Sequence, residues 1–358
     1  MSWWTPARSL SRYSSVCSPL SVRYWSAGVV DSTTAMPWHQ GTWQALVTQS
    51  HFAHAYLFTG PSGAGKRAFA AAFAAWLMCD QPAGGQACQQ CRSCLLRQAG
   101  SHPDLLSIAP EEQGKAIRVD AIRQLVDFIA QTAQQGGRKV VLLHPAEAMN
   151  QNAANALLKS LEEPTADTYL LLISDQPSRL LPTIRSRCRV QPLGAPDQQQ
   201  ALAWLAGELP DCSAEQQRLL LQMAGGAPLR AVALQQMDAL ALRDKVVEGV
   251  KALLKGQISA PRLCEQWNAV PVELLLDWFA DWTLDLLKLQ QQAQDAASNA
   301  DMDKVLGYMA QRVQPLALLH WQEWLLAHRR QFDNKANLNR QLFLEKLLAE
   351  WKTLAERR

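Results

Sequence analysis

The sequence predicts an α/β domain built on a parallel sheet, followed by helical domains that continue to the C-terminus. Two observations carry this prediction. Between residues 38 and 190, short apolar runs alternate with stretches of helical period, a pattern typical of parallel strands joined by crossover helices. After Pro192 the apolar runs of strand length stop, and helical period continues through the rest of the chain.

Four short apolar runs predict the strands of one sheet; they lie at 54–58, 105–108, 140–143 and 169–173. Helical patterns at 67–77, 119–133 and 152–161 lie between them, which predicts a doubly wound sheet with helices on both faces. Three short helices then predict a small helical domain; they lie at 197–207, 214–224 and 228–237. Longer stretches such as 272–296 and 316–330 predict a second helical domain. The expected boundaries are 36–192, 193–240 and 241–358.

Tryptophans recur at helical spacings of three or four residues in the last of these domains. The pairs are Trp278 with Trp282 and Trp321 with Trp324. Aromatic stripes of this kind usually belong to a hydrophobic core, so we expect them to be buried.

The composition is that of an ordinary globular protein. The chain has 358 residues, of which 48% are hydrophobic and 19% charged, and it carries a formal net charge of +3. This charge is too small to indicate a nucleic-acid binder, so any DNA contact must depend on local placement of charge. No run approaches the roughly 20 uninterrupted apolar residues of a membrane span. We therefore expect a soluble protein.

Residues 1–35 differ from the rest of the chain. They are rich in Ser, Trp and Arg, contain Asp31 as their only acid, and show no clear helical or strand period. A segment of this composition is compatible with an organelle transit peptide. A start codon placed too far upstream, with Met36 opening the protein, fits better because no amphipathic Arg-bearing helix can be drawn through the segment. We treat residues 1–35 as a mis-called start or a disordered extension.

A glycine-rich loop follows the first predicted strand. Residues 60–66, Gly-Pro-Ser-Gly-Ala-Gly-Lys, fit the first seven positions of the phosphate-binding loop and lie between a strand and a helix, where that chemistry requires them. Gly60, Gly63 and Gly65 allow backbone N–H groups to curl around phosphates, and Lys66 would reach the outer phosphates. The loop therefore predicts a site that can hold ATP or ADP.

The groups that handle Mg²⁺ in such a site are missing. The eighth position of the loop, normally a Ser or Thr, is Arg67, and the two carboxylates expected after strand 139–143 are replaced by His144 and Pro145. Glu147 lies two residues further along. Because phosphoryl transfer depends on charge neutralised by the metal, we expect hydrolysis at this loop to be lost even if a nucleotide binds. His144 has no carboxylate or Cys nearby in sequence, so we interpret it as a structural residue.

Four cysteines lie close together after the helix that follows the glycine loop. They are Cys79, Cys88, Cys91 and Cys94, separated by eight, two and two residues. This spacing provides four thiolates for a tetrahedral zinc ion. Disulfides are the alternative, but a nucleotide fold is expected in a reducing cytoplasm. Since all four ligands would be protein thiols, the predicted zinc is structural and not catalytic.

Several motifs, taken in order, resemble those of a known family. The glycine loop and the cysteines are followed by Ser-His-Pro-Asp at 101–104, by Asn-Ala-Leu-Leu-Lys-Ser-Leu-Glu-Glu-Pro at 155–164, and by Ser-Arg-Cys at 186–188. Residues 339–344, Asn-Arg-Gln-Leu-Phe-Leu, look like the family's final collar helix. The chain resembles the bacterial clamp-loader subunits of the gamma/tau and delta-prime type, which are AAA+ proteins, from about residue 36 to its C-terminus.

The resemblance implies an AAA+ nucleotide-fold domain, a small helical lid domain and an all-α collar domain. It also implies that Arg187 is an arginine finger for the nucleotide of an adjacent gamma/tau subunit, since delta-prime members keep Ser-Arg-Cys while their own ATP site decays. A planar guanidinium suits the equatorial oxygens of a phosphoryl group in transfer. Without the resemblance, Arg187 would be one of several arginines on a solvated edge. Ser174 falls at the family's first sensor position, where it would bind phosphate or cap the strand, and Arg230 lies one position from the second sensor.

The partners implied by the resemblance are gamma/tau and delta subunits in a hetero-pentamer, with the sliding clamp and primer–template DNA contacted through the complex, in the bacterial cytoplasm and without a membrane. Two other functions stay open. A gamma/tau-type ATPase is favoured by Lys66 and the intact glycines and opposed by the missing magnesium groups. A DNA-binding module that uses the cysteine loop is disfavoured, because Arg92 is the only basic residue of 79–94 and that stretch has no aromatic.

Overall fold

The computed structural model describes residues 34–112, 115–135, 137–291, 299–333 and 339–356. The prediction for residues 1–35 therefore falls, except for its last two residues, outside the described residues. The same holds for the end of the helix expected over 272–296, of which the structure describes Val272–Gln290 as helical.

Five parallel strands form the sheet of the first domain. They are β1 (Ala55–Thr59), β2 (Leu105–Ile108), β3 (Lys139–Leu143), β4 (Thr168–Ser174) and β5 (Arg189–Pro192). Their order across the sheet is β2-β3-β4-β1-β5, and every pairing is parallel. The four predicted strands are confirmed. The strand β5 is absent from the prediction because it is a short, polar and largely exposed edge strand.

Alternate residues of the central strands face opposite layers of helices. In β4, Leu170 and Leu172 pack with the layer on one face, whereas Leu171 and Ile173 pack with the layer on the other. The first layer contains helices Val119–Ala130 and Gln151–Glu162, and the second contains helices Gln40–Val47 and Lys66–Met78. Burial on both faces explains why the strands read as continuous apolar runs, and it confirms the doubly wound arrangement.

After β5 the described chain is helical. The helices are Gln198–Glu208, Ala214–Met223, Pro228–Gln236, Ala239–Leu254, Ala260–Gln266, Val272–Gln290, Asp303–Ala310, Pro315–Asp333 and Arg340–Glu356. Side-chain caps fix where several of them begin; for example, Ser213 and Gln216 form a capping box at the start of the second. In the described ranges no helix is both long and apolar enough to cross a bilayer.

One apolar cluster extends through both predicted helical domains, from Ala201 to Ala355. Trp278, Trp282 and Trp321 are buried in it, and Trp324 packs against it half-buried, as the tryptophan spacings predict. Because residues 193–240 and 241–358, which are the predicted lid and the predicted collar, share this cluster, the two segments are in direct contact.

Candidate functional site

The glycine loop turns from β1 into the helix Lys66–Met78 as predicted, and the chain's own residues lie close against it. Gly63 and Gly65 have φ angles of 79° and 97°, a conformation that favours glycine. A Cβ on Gly65 would lie 2.7 Å from Cγ of Met36, and a Cβ on Gly60 would lie 2.0 Å from the carbonyl oxygen of Leu193. The glycines therefore permit close contacts within the protein as well as the turn itself.

Lys66 is held inside the protein. Its Nζ donates to the carbonyl oxygen of Pro61 at 2.7 Å and lies 2.6 Å from Oδ1 of Asp175, the residue that follows β4. The side chain of Lys66 is 3% exposed and that of Asp175 is 28% exposed. A buried ammonium requires a counter-charge of this kind. A carboxylate of the chain thus neutralises the lysine that was predicted to reach phosphates.

Two further segments of the chain form hydrogen bonds with the glycine loop. Nε1 of Trp38 donates to the carbonyl oxygen of Ala64 at 2.9 Å. From the lid, the backbone N–H of Leu229 donates to the carbonyl oxygen of Gly63 at 3.2 Å, and Cβ of Arg230 would lie 2.7 Å from a Cβ on Gly63. The lid and the segment before the first strand therefore both pack directly on the loop.

The side chain of Arg230 runs to the collar. Its Nη2 lies 2.5 Å from Oδ2 of Asp277 on helix Val272–Gln290, and Arg329 pairs with the other carboxylate oxygen of Asp277. The residue nearest to the second sensor position thus connects the lid to the collar through its guanidinium.

The positions of the missing magnesium groups hold two basic side chains. Burial lowers the pKa of His144 to about 4; the Asp175 carboxylate opposes this change, while Arg67 and Lys66 add to it. Burial also lowers the pKa of the Arg67 guanidinium. His144 is consequently neutral near pH 7, which agrees with its interpretation as a structural residue.

The residues around the end of β4 organise the backbone there. Oε1 of Glu147 accepts the backbone N–H groups of Asp175 and Gln176 at 2.9 and 3.1 Å, so this carboxylate holds the segment after the strand. Ser174 is fully buried, and its hydroxyl has no hydrogen-bond partner within the described ranges. The strand-capping role suggested for Ser174 is therefore not found there.

The four cysteines of the predicted zinc site come together. The sulfur atoms of Cys79, Cys88, Cys91 and Cys94 lie within 4.8 Å of one another, and those of Cys79 and Cys91 are 4.0 Å apart. All four are free thiols. A tetrahedral zinc with Zn–S bonds of about 2.3 Å places its sulfurs about 3.8 Å apart. The donor set therefore fits a tetrathiolate zinc site after a small contraction.

Backbone N–H groups point at three of these sulfurs. The N–H of Cys88 donates to Sγ of Cys79 at 3.2 Å, that of Cys91 to Cys88 at 3.3 Å, and that of Cys94 to Cys91 at 3.4 Å. Hydrogen bonds from the backbone of Gln90 and Cys91 lower the pKa of Cys88 to about 6, whereas burial raises the pKa of Cys79 and of Cys94. Such donors stabilise thiolates, the form that binds a metal.

The Ser-His-Pro-Asp motif connects the cysteine loop to the sheet. Nδ1 of His102 accepts the N–H of Asp104 at 3.1 Å, so its Nε2 carries the proton and donates to Oγ of Ser93 at 2.9 Å. Ser93 in turn donates to the carbonyl oxygen of Met78 at 2.6 Å. The Asp104 carboxylate accepts two backbone N–H groups of residues 134–135. The motif thus has a positioning role that its sequence alone did not reveal.

Arg187 lies at the surface between the short helix Pro182–Arg185 and β5. Its Nη1 donates to the carbonyl oxygen of Thr183 at 3.0 Å, and its Nη2 lies 2.5 Å from Oε1 of Glu162. The side chain of Arg187 is 34% exposed, so part of the guanidinium is accessible from outside the subunit.

Sequence reasoning did not single out two acidic residues that contact the predicted site: Asp175, which pairs with Lys66, and Glu162, which pairs with Arg187. For Asp175 a signal existed, because the carboxyl end of a parallel strand beside β1 lies at the same edge of the sheet as the glycine loop. For Glu162 the sequence offers no signal, since the pairing depends on how two distant helices meet.

Sequence comparisons agree with the resemblance. Profiles of the families described as DNA polymerase III, delta subunit, and DNA polymerase III, delta subunit, C terminal, match residues 39–196 and 237–353. A DNA polymerase III subunit delta' from Pseudomonas aeruginosa is 54% identical over 319 residues, which cover 89% of this chain and 97% of the relative. Proteins of the same name from Yersinia pestis and Escherichia coli are 36% and 33% identical, cover 88% and 87% of this chain, and match over 95% and 93% of their own lengths.

Among solved structures, a DNA polymerase III gamma subunit-related protein from Thermotoga maritima aligns over 89% of this chain and 100% of its own, with 21% identity and a TM-score of 0.40. A TM-score of this size adds nothing to the sequence matches.

Proposed function

The chain belongs to the delta-prime family of DNA polymerase III subunits, and we propose that it is the clamp-loader member that does not hydrolyse ATP itself and lends an arginine to a gamma/tau neighbour. In this proposal, gamma/tau, delta and this chain form a hetero-pentamer in the cytoplasm. ATP binding by gamma/tau opens the sliding clamp and places it at a primer–template junction, and hydrolysis releases it there. The alternative, a gamma/tau-type ATPase, has less support, because the matched relatives are named subunit delta'.

The observation that carries the proposal is the ion pair of Lys66 with Asp175. A phosphate-binding lysine must be free to reach the nucleotide, whereas Lys66 is buried and already neutralised. For ATP or ADP to bind, Lys66 would have to leave Asp175, and the lid would have to move away from Gly63. We therefore infer that the loop binds nucleotide weakly or not at all, and that Arg67 and His144 leave no place for Mg²⁺.

Arg187 is the group that we assign to catalysis, in the pocket of the neighbouring subunit. Its guanidinium is always charged, is partly exposed, and is held by the Thr183 carbonyl oxygen and the Glu162 carboxylate of its own chain. A finger of this type stabilises the charge that develops on a transferring phosphoryl group. It increases kcat by about 10³- to 10⁵-fold. Because the neighbour's site is incomplete without it, hydrolysis would depend on assembly.

We propose that the four cysteines hold a structural zinc ion, which would fix the loop 79–94 against helix Lys66–Met78. The zinc would have no open position and so no catalytic role.

The collar offers a surface for other subunits. Leu316, Leu319 and Leu326 lie exposed along helix Pro315–Asp333, and Leu342 is 65% exposed on the last helix. Exposed apolar residues at helical spacing favour contact with another protein surface. We propose that this face contributes to the ring of collar domains.

ATP turnover by reconstituted complexes tests the proposal. The purified chain alone should hydrolyse no ATP, and the complex of gamma, delta and this chain should lose turnover when Arg187→Ala is introduced. Arg185→Ala, which removes another exposed arginine two residues away, is the matched control. Turnover by the lone chain would support the gamma/tau alternative, and an Arg187→Ala complex as active as the control would exclude the finger.

A further inference from the structure

We propose that Glu162 is a positioning residue for the arginine finger, holding the Arg187 guanidinium in the orientation from which it meets the neighbour's phosphates. The inference rests on the proposed function, because Glu162 has this role only if Arg187 acts in another subunit.

The geometry that carries the inference is a two-point anchorage of one guanidinium. Nη1 of Arg187 donates to the carbonyl oxygen of Thr183, and Nη2 lies 2.5 Å from Oε1 of Glu162. Thr183 belongs to the helix Pro182–Arg185, and Glu162 is the last residue of the helix Gln151–Glu162, which packs against it. A guanidinium has five N–H donors, and these two contacts use two of them. The remaining donors can therefore bind a phosphate while both anchors stay in place.

The exposure of the pair indicates that it contributes little to folding stability. The side chains of Arg187 and Glu162 are 34% and 48% exposed, and ion pairs in such surroundings contribute little to stability. What the pair does provide is restriction of a long side chain with several rotatable bonds. A catalytic group that is oriented before the ligand arrives loses less entropy in the reaction, so even a weak restraint increases the rate.

Glu163 supplies an internal control. It follows Glu162 directly, is also exposed, and forms no ion pair within the part of the chain that the structure describes. Removing Glu163 changes the local charge by the same amount as removing Glu162 but leaves the anchorage of Arg187 intact.

The test uses the clamp-loader complex, assembled with gamma subunits whose own finger arginine is replaced by alanine, so that the site facing this chain is the complete one. We expect Glu162→Ala to lower kcat for ATP about 3- to 10-fold with KM unchanged, because the lost orientation affects the transition state and not nucleotide binding. Glu162→Gln, which keeps a hydrogen-bond acceptor, should retain part of the rate. Glu163→Ala should match the parent complex, and the thermal unfolding of all three variants should be unchanged.

The double variant decides between positioning and a general structural effect. In the Arg187→Ala background, Glu162→Ala should cause no further loss of turnover, since its effect passes through Arg187. A loss of equal size in that background would overturn the inference, as would unchanged or increased turnover of the single variant Glu162→Ala. If Arg187→Ala itself has no effect, the proposed finger fails as well, and this result differs from the others.

Discussion

Substituting the two partners of the ion pair between Lys66 and Asp175 should have different effects on the stability of the subunit. In an active phosphate-binding loop the lysine is essential and its substitution abolishes turnover. Here Lys66 is an internal structural cation, so Lys66→Met should leave the ATP turnover of the assembled complex unchanged. Asp175→Ala should instead destabilise the subunit, because among the described residues it leaves the buried ammonium with only the Pro61 carbonyl oxygen as a partner.

The size of each effect follows from burial. Removing one partner of a fully buried ion pair costs about 3–5 kcal/mol. Because Asp175 is 28% exposed, water can partly replace the carboxylate, and we expect a loss of about 2 kcal/mol for Asp175→Ala. This corresponds to a decrease in Tm of roughly 4–8 °C for a domain of this size. Lys66→Met leaves a partly solvated carboxylate and a methionine that can fill the space, so its cost should stay below about 1 kcal/mol.

Calorimetric unfolding of the subunit and ATP turnover of the complex measure the two quantities. Asp127→Ala, which removes an exposed carboxylate from helix Val119–Ala130, is the control for the loss of a negative charge. A larger destabilisation from Lys66→Met than from Asp175→Ala would refute the reasoning. A complex that loses the turnover of one site with Lys66→Met would show that the loop binds and uses nucleotide.

Three further expectations concern the zinc site, a histidine and the lid. Metal analysis should find one zinc per chain, lost in Cys91→Ser together with thermal stability; a chain that purifies without zinc and unfolds at the same temperature after chelation contradicts this. His144 binds a proton near pH 6.5 in the unfolded state and only near pH 4 in the folded state. The free energy of unfolding should therefore fall as the pH decreases from 6.5 to 4. This fall should be up to about 3 kcal/mol larger than in the His144→Gln variant, which lacks the titrating group. If both proteins show the same pH profile in urea unfolding, the buried neutral state is wrong. Arg230→Ala should lower the free energy of unfolding by about 1 kcal/mol, because it removes the ion pair with Asp277. ATP turnover of the complex should stay unchanged. A change in turnover would indicate that Arg230 senses nucleotide.

The features that could be predicted from the sequence depend on the order and spacing of residues that are close together in the chain. The strands β1, β3 and β4 are continuous apolar runs because helices cover both of their faces, and the first two helices after β5 begin after Asp197 and Ser213, which cap them. The glycine loop and the four cysteines are likewise defined by spacing along the chain. By contrast, β5 pairs on one side only and keeps polar residues, so no hydrophobic period marks it.

The features that the sequence could not provide depend on contacts between distant segments. The pairing of Lys66 with Asp175 and that of Arg187 with Glu162 join residues brought together by the order of strands and helices, which no local pattern encodes. The same is true of Arg230. It lies one position away from the family's second sensor, and the direction of its side chain is set by Asp277 on helix Val272–Gln290.

The lid is fastened at two ends, since its backbone holds Gly63 of the glycine loop and the side chain of Arg230 holds Asp277 of the collar. In a subunit that hydrolyses ATP, binding and hydrolysis of the nucleotide can move such a lid. Because both attachments are made by protein atoms, we expect the position of this lid not to depend on the ratio of ATP to ADP in the cell. If this chain assembles into the proposed hetero-pentamer, we expect it to be the subunit whose lid and collar keep one relative orientation while ATP is bound and hydrolysed elsewhere in the complex.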